Sequence, residues 1–220
     1  MKTVLAFAAA LLVSTLASGA PGATPPAGLE AQLQQIQGDW ARTNYQTQDE
    51  DRKAAEFDAL AKRAEAFARA FPGRAEPLIW EGIVLSTYAG VKGGLGALGL
   101  AKRARDRLEA ALKIDPGALD GSAYTSLGTL YSKVPGFPVG FGDDGKARKL
   151  LETALKLNPE GIDPNYFYGE FLYEEGEYAA AVAALRRALA APPRPGRELA
   201  DRGRRGEIEA LLAKAQRELG

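Results

Sequence analysis

The sequence predicts an all-α solenoid of helical hairpins, with long insertions between the helices of two of them. Three observations predict it. A pattern of small and large apolar residues recurs three times at fixed spacing. Proline closes each copy, because it lacks the amide donor that a continuing helix needs. No stretch alternates apolar and polar residues with the period of a strand. The clearest copy lies at residues 162–195, IDPNYFYGEFLYEEGEYAAAVAALRRALAAPPRP. Its first half is aromatic and apolar, and Glu174, Glu175 and Gly176 make a turn. Its second half is rich in Ala and Leu, the strongest helix formers. Neither helix buries its apolar face alone, so the hairpin must stack on a neighbour.

The second-helix signature is Ala, then Leu at +4, Ala at +7 and Pro at +12. Ala181, Leu185, Ala188 and Pro193 fit it, as do Ala147, Leu151, Ala154 and Pro159, and Ala104, Leu108, Ala111 and Pro116. Glycines recur in the first helices as Gly82, Gly128 and Gly169. From each glycine to its second-helix alanine is 22, 19 and 12 residues, so the first two hairpins carry about ten and seven extra residues between their helices. This pattern resembles the tetratricopeptide repeat, a 34-residue hairpin. The resemblance implies a right-handed superhelix whose first helices line a concave face. The expected repeats are 75–118, 119–161 and 162–195.

The flanks complete the array. Residues 29–74 read as a degenerate first repeat or cap. Leu29, Leu33, Ile36 and Trp40 recur at helical spacing, as do Phe57, Leu60, Ala64, Phe67 and Phe71, but the alanine slots are missing. Residues 196–220 read as a capping helix, with Ile208, Leu211, Leu212 and Ala215 on one side and charges elsewhere. A solenoid end needs such a polar outer face.

Residues 1–19 have the layout of a secretory signal peptide: Lys2, an apolar run over 4–13, then small residues. The apolar run is too short to read as a membrane span. Residues 20–28 read as a flexible leader. The expected location is periplasmic or secreted, with no stable membrane insertion after cleavage. There is no cysteine, which excludes disulfides and a lipobox anchor. The 28 basic residues balance 28 acidic ones, so no surplus charge draws in nucleic acid.

The chain has no histidine either. The commonest general base, the commonest transition-metal ligand and the thiol nucleophile are all missing. The expectation is no catalytic residue, no metal and no cofactor. Glu170, Glu174, Glu175 and Glu177 cluster, but an enzyme would need such carboxylates in a cleft with raised pKa values. Residues 94–99 form a literal GxGxxG, yet no strand precedes them, as a dinucleotide site requires. They read as a flexible or closely packed inter-helix insertion. Residues 140–146, GFGDDGK, fit GxxxxGK, but Ala147 stands where a magnesium-binding hydroxyl belongs, and Asp143 and Asp144 would repel phosphate.

The second insertion, YSKVPGFPVGFGDDGK at 131–146, must turn at Pro135-Gly136 and Pro138. Val134, Phe137, Val139 and Phe141 make it apolar. It either folds over its hairpin or lines a ligand or partner surface. Pro135, Gly136, Phe137, Pro138, Gly142 and Asp143, followed by Ala147, resemble the T-component of tripartite ATP-independent periplasmic transporters. That resemblance implies a periplasmic helical-repeat protein that associates with a substrate-binding subunit and offers an apolar channel to a small ligand. The lipobox cysteine of its lipoprotein members is absent here.

Aligned on the glycines, the first helices are expected to present Ile83 and Thr87, then Thr125, Thr129 and Lys133, then Tyr166, Glu170 and Tyr173. Phe137 and Phe141 join them from the loop. Tyr131 and Phe171 are expected in the core. The mixture suits an extended peptide or a small amphiphile. The sequence thus points to an exported, non-enzymatic binding or scaffold protein with a protein partner. The other reading is a small-ligand-binding accessory of the T-component kind, for an apolar or amphiphilic ligand.

Overall fold

The computed structural model describes residues 28–220, and the expected signal peptide lies outside them. The described residues form nine α-helices and no strand: α1 Leu29–Gln46, α2 Glu50–Ala70, α3 Ala75–Lys92, α4 Gly94–Ile114, α5 Ala118–Lys133, α6 Asp144–Leu157, α7 Ile162–Glu174, α8 Tyr178–Ala190 and α9 Glu198–Arg217.

Three hairpins, α3/α4, α5/α6 and α7/α8, close on one contact repeated. A Cβ added at Gly82 would lie 2.6 Å from Leu108 Cγ, one at Gly128 2.6 Å from Leu151 Cγ, and one at Gly169 2.9 Å from Leu185 Cγ. Each glycine thus admits the leucine of the facing helix to its backbone, a fit that close-packed interiors reward. The alanines on either side of these leucines, Ala104 and Ala111, Ala147 and Ala154, Ala181 and Ala188, have no exposed surface. The recurring slots are therefore the inter-helix contact itself. The core runs in two parts, one from α1 to α6 joined by Phe171 of α7 and Ala200 of α9, and one between α7, α8 and α9, with Phe167 and Tyr168 packed against both. Tyr131 and Phe171 are buried.

The two insertions differ in kind. The first is not a loop. Its extra residues lengthen α3 and α4, and Gly93 alone separates them, at φ +60. Ala97, Leu98 and Ala101 keep the helical spacing that buries one face, which overrides the weak helix propensity of the glycines. The second insertion is irregular over residues 134–143. Gly142 N–H donates to the Pro135 carbonyl at 3.0 Å and Asp143 N–H to the Tyr131 carbonyl at 2.9 Å. Asp143 then caps α6, its carboxylate accepting from Lys146 N–H at 2.9 Å.

The C-terminal helix turns Ile208, Leu211, Leu212 and Ala215 to the core and does more than cover one end. It packs along α8, touches α7 and reaches α1. A Cβ on Gly203 would fall 2.4 Å from the Tyr45 ring. Asp201 and Arg204 are buried beside Ala200 and Ile208. Helix α9 therefore joins the two ends of the array, with Arg202, Glu209, Lys214 and Arg217 on its exposed side. Of its arginines, Arg204 holds Asp163 and Glu207, and Arg205 donates to the Leu189 and Ala191 carbonyls.

Candidate functional site

Because α9 crosses from α8 to α1, it leaves a half-open cavity of about 730 Å³ between itself and the first helices of the hairpins. The helices dictate what faces it. From α3 come Trp80, Ile83, Ser86 and Thr87, and from α5 Ser122, Thr125, Ser126 and Thr129, so hydroxyls line one wall. Several of these bond back to their own helix, Ser86 to the Gly82 carbonyl at 2.8 Å and Thr129 to the Thr125 carbonyl at 3.0 Å. That satisfies the donor and leaves an acceptor facing the space. Ala97, Leu98 and Ala101 of α4 and Val134, Pro135 and Val139 of the loop make the apolar wall. Trp40 of α1 closes one side. Its indole N–H donates to Thr87 Oγ1 at 2.9 Å, and its ring meets Trp80 edge-on at 6.1 Å.

The far end is charged. Arg194 reaches Asp163 at 2.6 Å and Asp201 at 2.6 Å. Arg204 reaches Asp163 at 2.9 Å and Glu207 at 2.6 Å, and its guanidinium lies 4.5 Å from the ring centres of both Tyr166 and Phe167. The Tyr45 hydroxyl donates to Glu207 at 3.3 Å. Burial alone would raise the Asp163 pKa, but the Arg204 and Arg194 guanidiniums overcome it and hold the carboxyl down to about 2. Burial pushes the Glu207 carboxyl up, with Arg204 opposing. The two acids share Arg204, as in an ion-pair latch. Arg197 stands apart: its guanidinium lies over Trp80 at 5.0 Å, and its Nε is buried without a hydrogen-bond partner.

Leu119 and Asp120, also on the cavity rim, hold φ of +50 and +54, and Gly121 holds +76. Left-handed backbone at two successive non-glycine residues is strained, at about 1–2 kcal/mol each. Nothing in the sequence marks it.

Of the residues singled out from sequence, Ile83, Thr87, Thr125, Thr129 and Lys133 all line this cavity. Tyr166, Glu170 and Tyr173 do not. Helix α7 turns Asp163, Pro164 and Phe167 to the space, because α9 covers the other side of its first turn. Tyr166 is buried under Arg204. Glu170 pairs with Lys133 at 3.1 Å, Glu174 also engages Lys133, and Tyr173 packs on Tyr178 at 5.5 Å. The two loop phenylalanines part company. Phe141 packs edge-on against Tyr131 at 5.3 Å with Arg105 over its ring, whereas Phe137 is 94% exposed. Neither lines the cavity. Sequence reasoning missed Trp40, Trp80, Arg194, Arg197 and Arg204 as site residues. The one signal for the arginines was their density in a tail read as surface.

The motifs that resemble nucleotide sites have other tasks. Residues 94–99 open α4. Lys146 lies 4.0 Å from the Tyr131 ring and 3.8 Å from Glu109. Glu175 and Glu177 pair with Arg148. Among the described residues no group of three acidic side chains is placed to hold a metal ion, and no helix is long and apolar enough to cross a membrane.

The glycine–leucine contacts and the stacked first helices are the geometry of one known architecture. The fold is a tetratricopeptide-repeat fold. A family model described as "Tetratricopeptide repeat" matches residues 141–201. A thermophilic tetratricopeptide repeat protein from Thermus thermophilus superposes with a TM-score of 0.57 at 22% identity, covering 87% of this chain and 91% of that one. MamA from residue 41 onward, of Desulfovibrio magneticus RS-1, aligns at 15% identity over 84% of this chain and 94% of that one, with a TM-score of 0.44. PilF of Pseudomonas aeruginosa aligns at 16% identity over 87% and 90%, with a TM-score of 0.38. A sequence search of curated proteins returns no match. The family match and the Thermus superposition support the tetratricopeptide reading and give no support to the transporter-component one.

Proposed function

We propose that this is an exported, non-enzymatic binding protein that takes a short segment of a protein partner into the cavity between its first helices and α9. The observation that carries the reading is convergence. Ile83, Thr87, Thr125, Thr129 and Lys133, chosen as the inner face of a repeat array, border one cavity of about 730 Å³. That volume lies in the usual range for ligand sites, and few polar groups among apolar walls are their usual lining. Repeat arrays of this kind bind through their concave face. The lack of histidine and cysteine, and the pairing of the cavity acids with arginine, favour binding over catalysis. The signal-peptide layout of residues 1–19 supports export to the periplasm or beyond.

The test is site-specific photo-crosslinking in the native cell envelope. A photoreactive side chain at Ile83 or Thr129 is expected to capture one partner that the same group at exposed Glu209 does not. Equal capture from all three positions would sink the reading. N-terminal sequencing of the same material is expected to find the chain starting near residue 20.

A second reading is favoured by one observation, the covering of the concave face by α9. A half-enclosed space suits a small amphiphile better than a long peptide. It predicts a retained mass of a few hundred daltons in native mass spectrometry of the gently purified protein.

A further inference from the structure

Of the basic side chains that line the cavity, Lys133, Arg194 and Arg204 each hold a carboxylate. Among the described residues Arg197 holds none, although it borders the same space. Its position argues for a role in binding. The guanidinium lies against the Trp80 face, its side chain is half-buried, and its Nε is cut off from solvent with no acceptor. The Nε is closed to the cavity as well as to solvent, so the terminal nitrogens of the guanidinium, which are not among the buried unpartnered atoms, are the donors left open to an acceptor. Asp120, the acidic residue of the lining that lacks a cation, is exposed on the rim, where water serves it. Burial and then the neighbouring Arg194 depress the pKa of Arg197, with Asp163 and Asp201 opposing.

The missing counter-ion has a definable chemistry. A guanidinium presents a planar fork of donors that matches a carboxylate. A doubly charged phosphate fits less well. Only one unpaired cation is available, and Asp163 and Asp201 stand close enough to influence Arg197. The lining also includes Ile83, Leu98 and Val139, which offer an apolar chain a surface opposite the hydroxyl wall.

We propose that Arg197, stacked on Trp80, anchors a carboxylate at the end of an apolar chain lying in this cavity. This rests on the reading that the cavity is a binding site. The same chemistry occurs in a free aliphatic acid and in the apolar C-terminus of a peptide. The protein carries its own reporter, since its two tryptophans, Trp40 and Trp80, both line the cavity.

The experiment is titration of the full mature chain, read by tryptophan fluorescence. The probes are dodecanoate, dodecanol and dodecyltrimethylammonium below their micelle concentrations, and one apolar tetrapeptide with a free or an amidated C-terminus. Dodecanoate is expected to saturate the signal at least tenfold more tightly than dodecanol, with the ammonium weakest. Arg197→Met is expected to bring acid and alcohol to the same affinity without lowering the melting temperature, because it removes an unpaired charge. Arg197→Lys is expected to restore part of the difference. If only the free-ended peptide discriminates, the anchor holds and the source is a chain end. Equal affinity for acid and alcohol in the wild type, together with equal affinity for the free and the amidated peptide, would overturn the anchor and leave the cavity reading standing. Silence from every probe would overturn the anchor too, with crosslinking at Ile83 and Thr129 then deciding the cavity reading by itself. A melting temperature lowered by Arg197→Met as far as by a core truncation would show that Arg197 is structural and would also overturn the proposal.

Discussion

The hairpins and the closing helix hold together by a different balance of forces. Within each hairpin a leucine enters the space left by a glycine, with charges such as Arg107 on buried Glu81 standing beside that apolar fit. Between α9 and the rest, Ala200, Ile208 and Ala215 are buried and Gly203 fits against Tyr45, but arginines on carboxylates and aromatic rings add a second kind of contact. The first kind of contact is insensitive to salt and pH. The second depends on both. The array and its closure therefore need not come apart together, and the region around the cavity is the part with the weaker guarantee.

The largest expected effect breaks a hairpin. Leu151→Ala removes a fully buried side chain facing Gly128 and is expected to lower stability by about 3 kcal/mol, seen as a fall in melting temperature for the whole chain. Asp163→Asn takes the shared partner from Arg194 and Arg204 and is expected to cost about 2–3 kcal/mol. Its loss should be concentrated in faster amide exchange at residues 198–217, with α3 to α6 little changed. Uniform exchange would erase the distinction between array and closure.

Two glycine substitutions make the comparison sharper. Gly203→Ala drives a methyl group into the Tyr45 ring and is expected to cost about 1–3 kcal/mol, again read as local opening of α9. Gly128→Ala should cost a similar amount but open nothing locally, because its clash is with Leu151 and the Ala147 carbonyl inside a hairpin.

Acid should find the closure first. The Asp163 pKa of about 2 in the folded protein lies below the ordinary aspartate value near 4. Its contribution is therefore complete above about pH 4 and is lost as pH falls through 2, a loss of about 2 kcal/mol. A melting-temperature profile from pH 5 to 2 is expected to fall in the wild type and to flatten in Asp163→Asn. Glu207, raised by burial, works in the opposite sense at higher pH. The smallest effect belongs to Lys133→Ala. Its pairs with Glu170 and Glu174 are largely solvated, and the change is expected to stay under about 1 kcal/mol.

The hairpins were legible because their signal is local and repeated. Gly169, Leu185 and Ala181 stand at spacings that only a helix pair explains, and two further copies confirm the register. The same alignment picks residues of α3 and α5 that border the cavity. At α7 it picks Tyr166, Glu170 and Tyr173, whereas Phe167 and Asp163 border the space, since α9, some forty residues away in sequence, covers the other side of the helix. Leu119 and Asp120 left no trace because neither is a residue that left-handed backbone selects. The first insertion was misread for the reverse reason: its glycines suggest a loop, while burial of Ala101 and the flanking apolar residues makes it helix. Arg194, Arg197 and Arg204 looked like a solvated tail because charge density reads the same whether its partners are water or distant carboxylates.

Closure of the array by α9 has a consequence for how such a chain can change over evolutionary time. An open row of hairpins tolerates the gain or loss of a unit, since each touches only its neighbours. Here Gly203 must meet Tyr45 and Arg204 must meet Asp163 at once, so the row has a fixed number of units. Duplicating one hairpin would carry α1 out of reach of α9 and leave the space between them without its fourth wall. Variation in this lineage is therefore expected within helices, as the lengthened α3 and α4 show, and not in the number of hairpins.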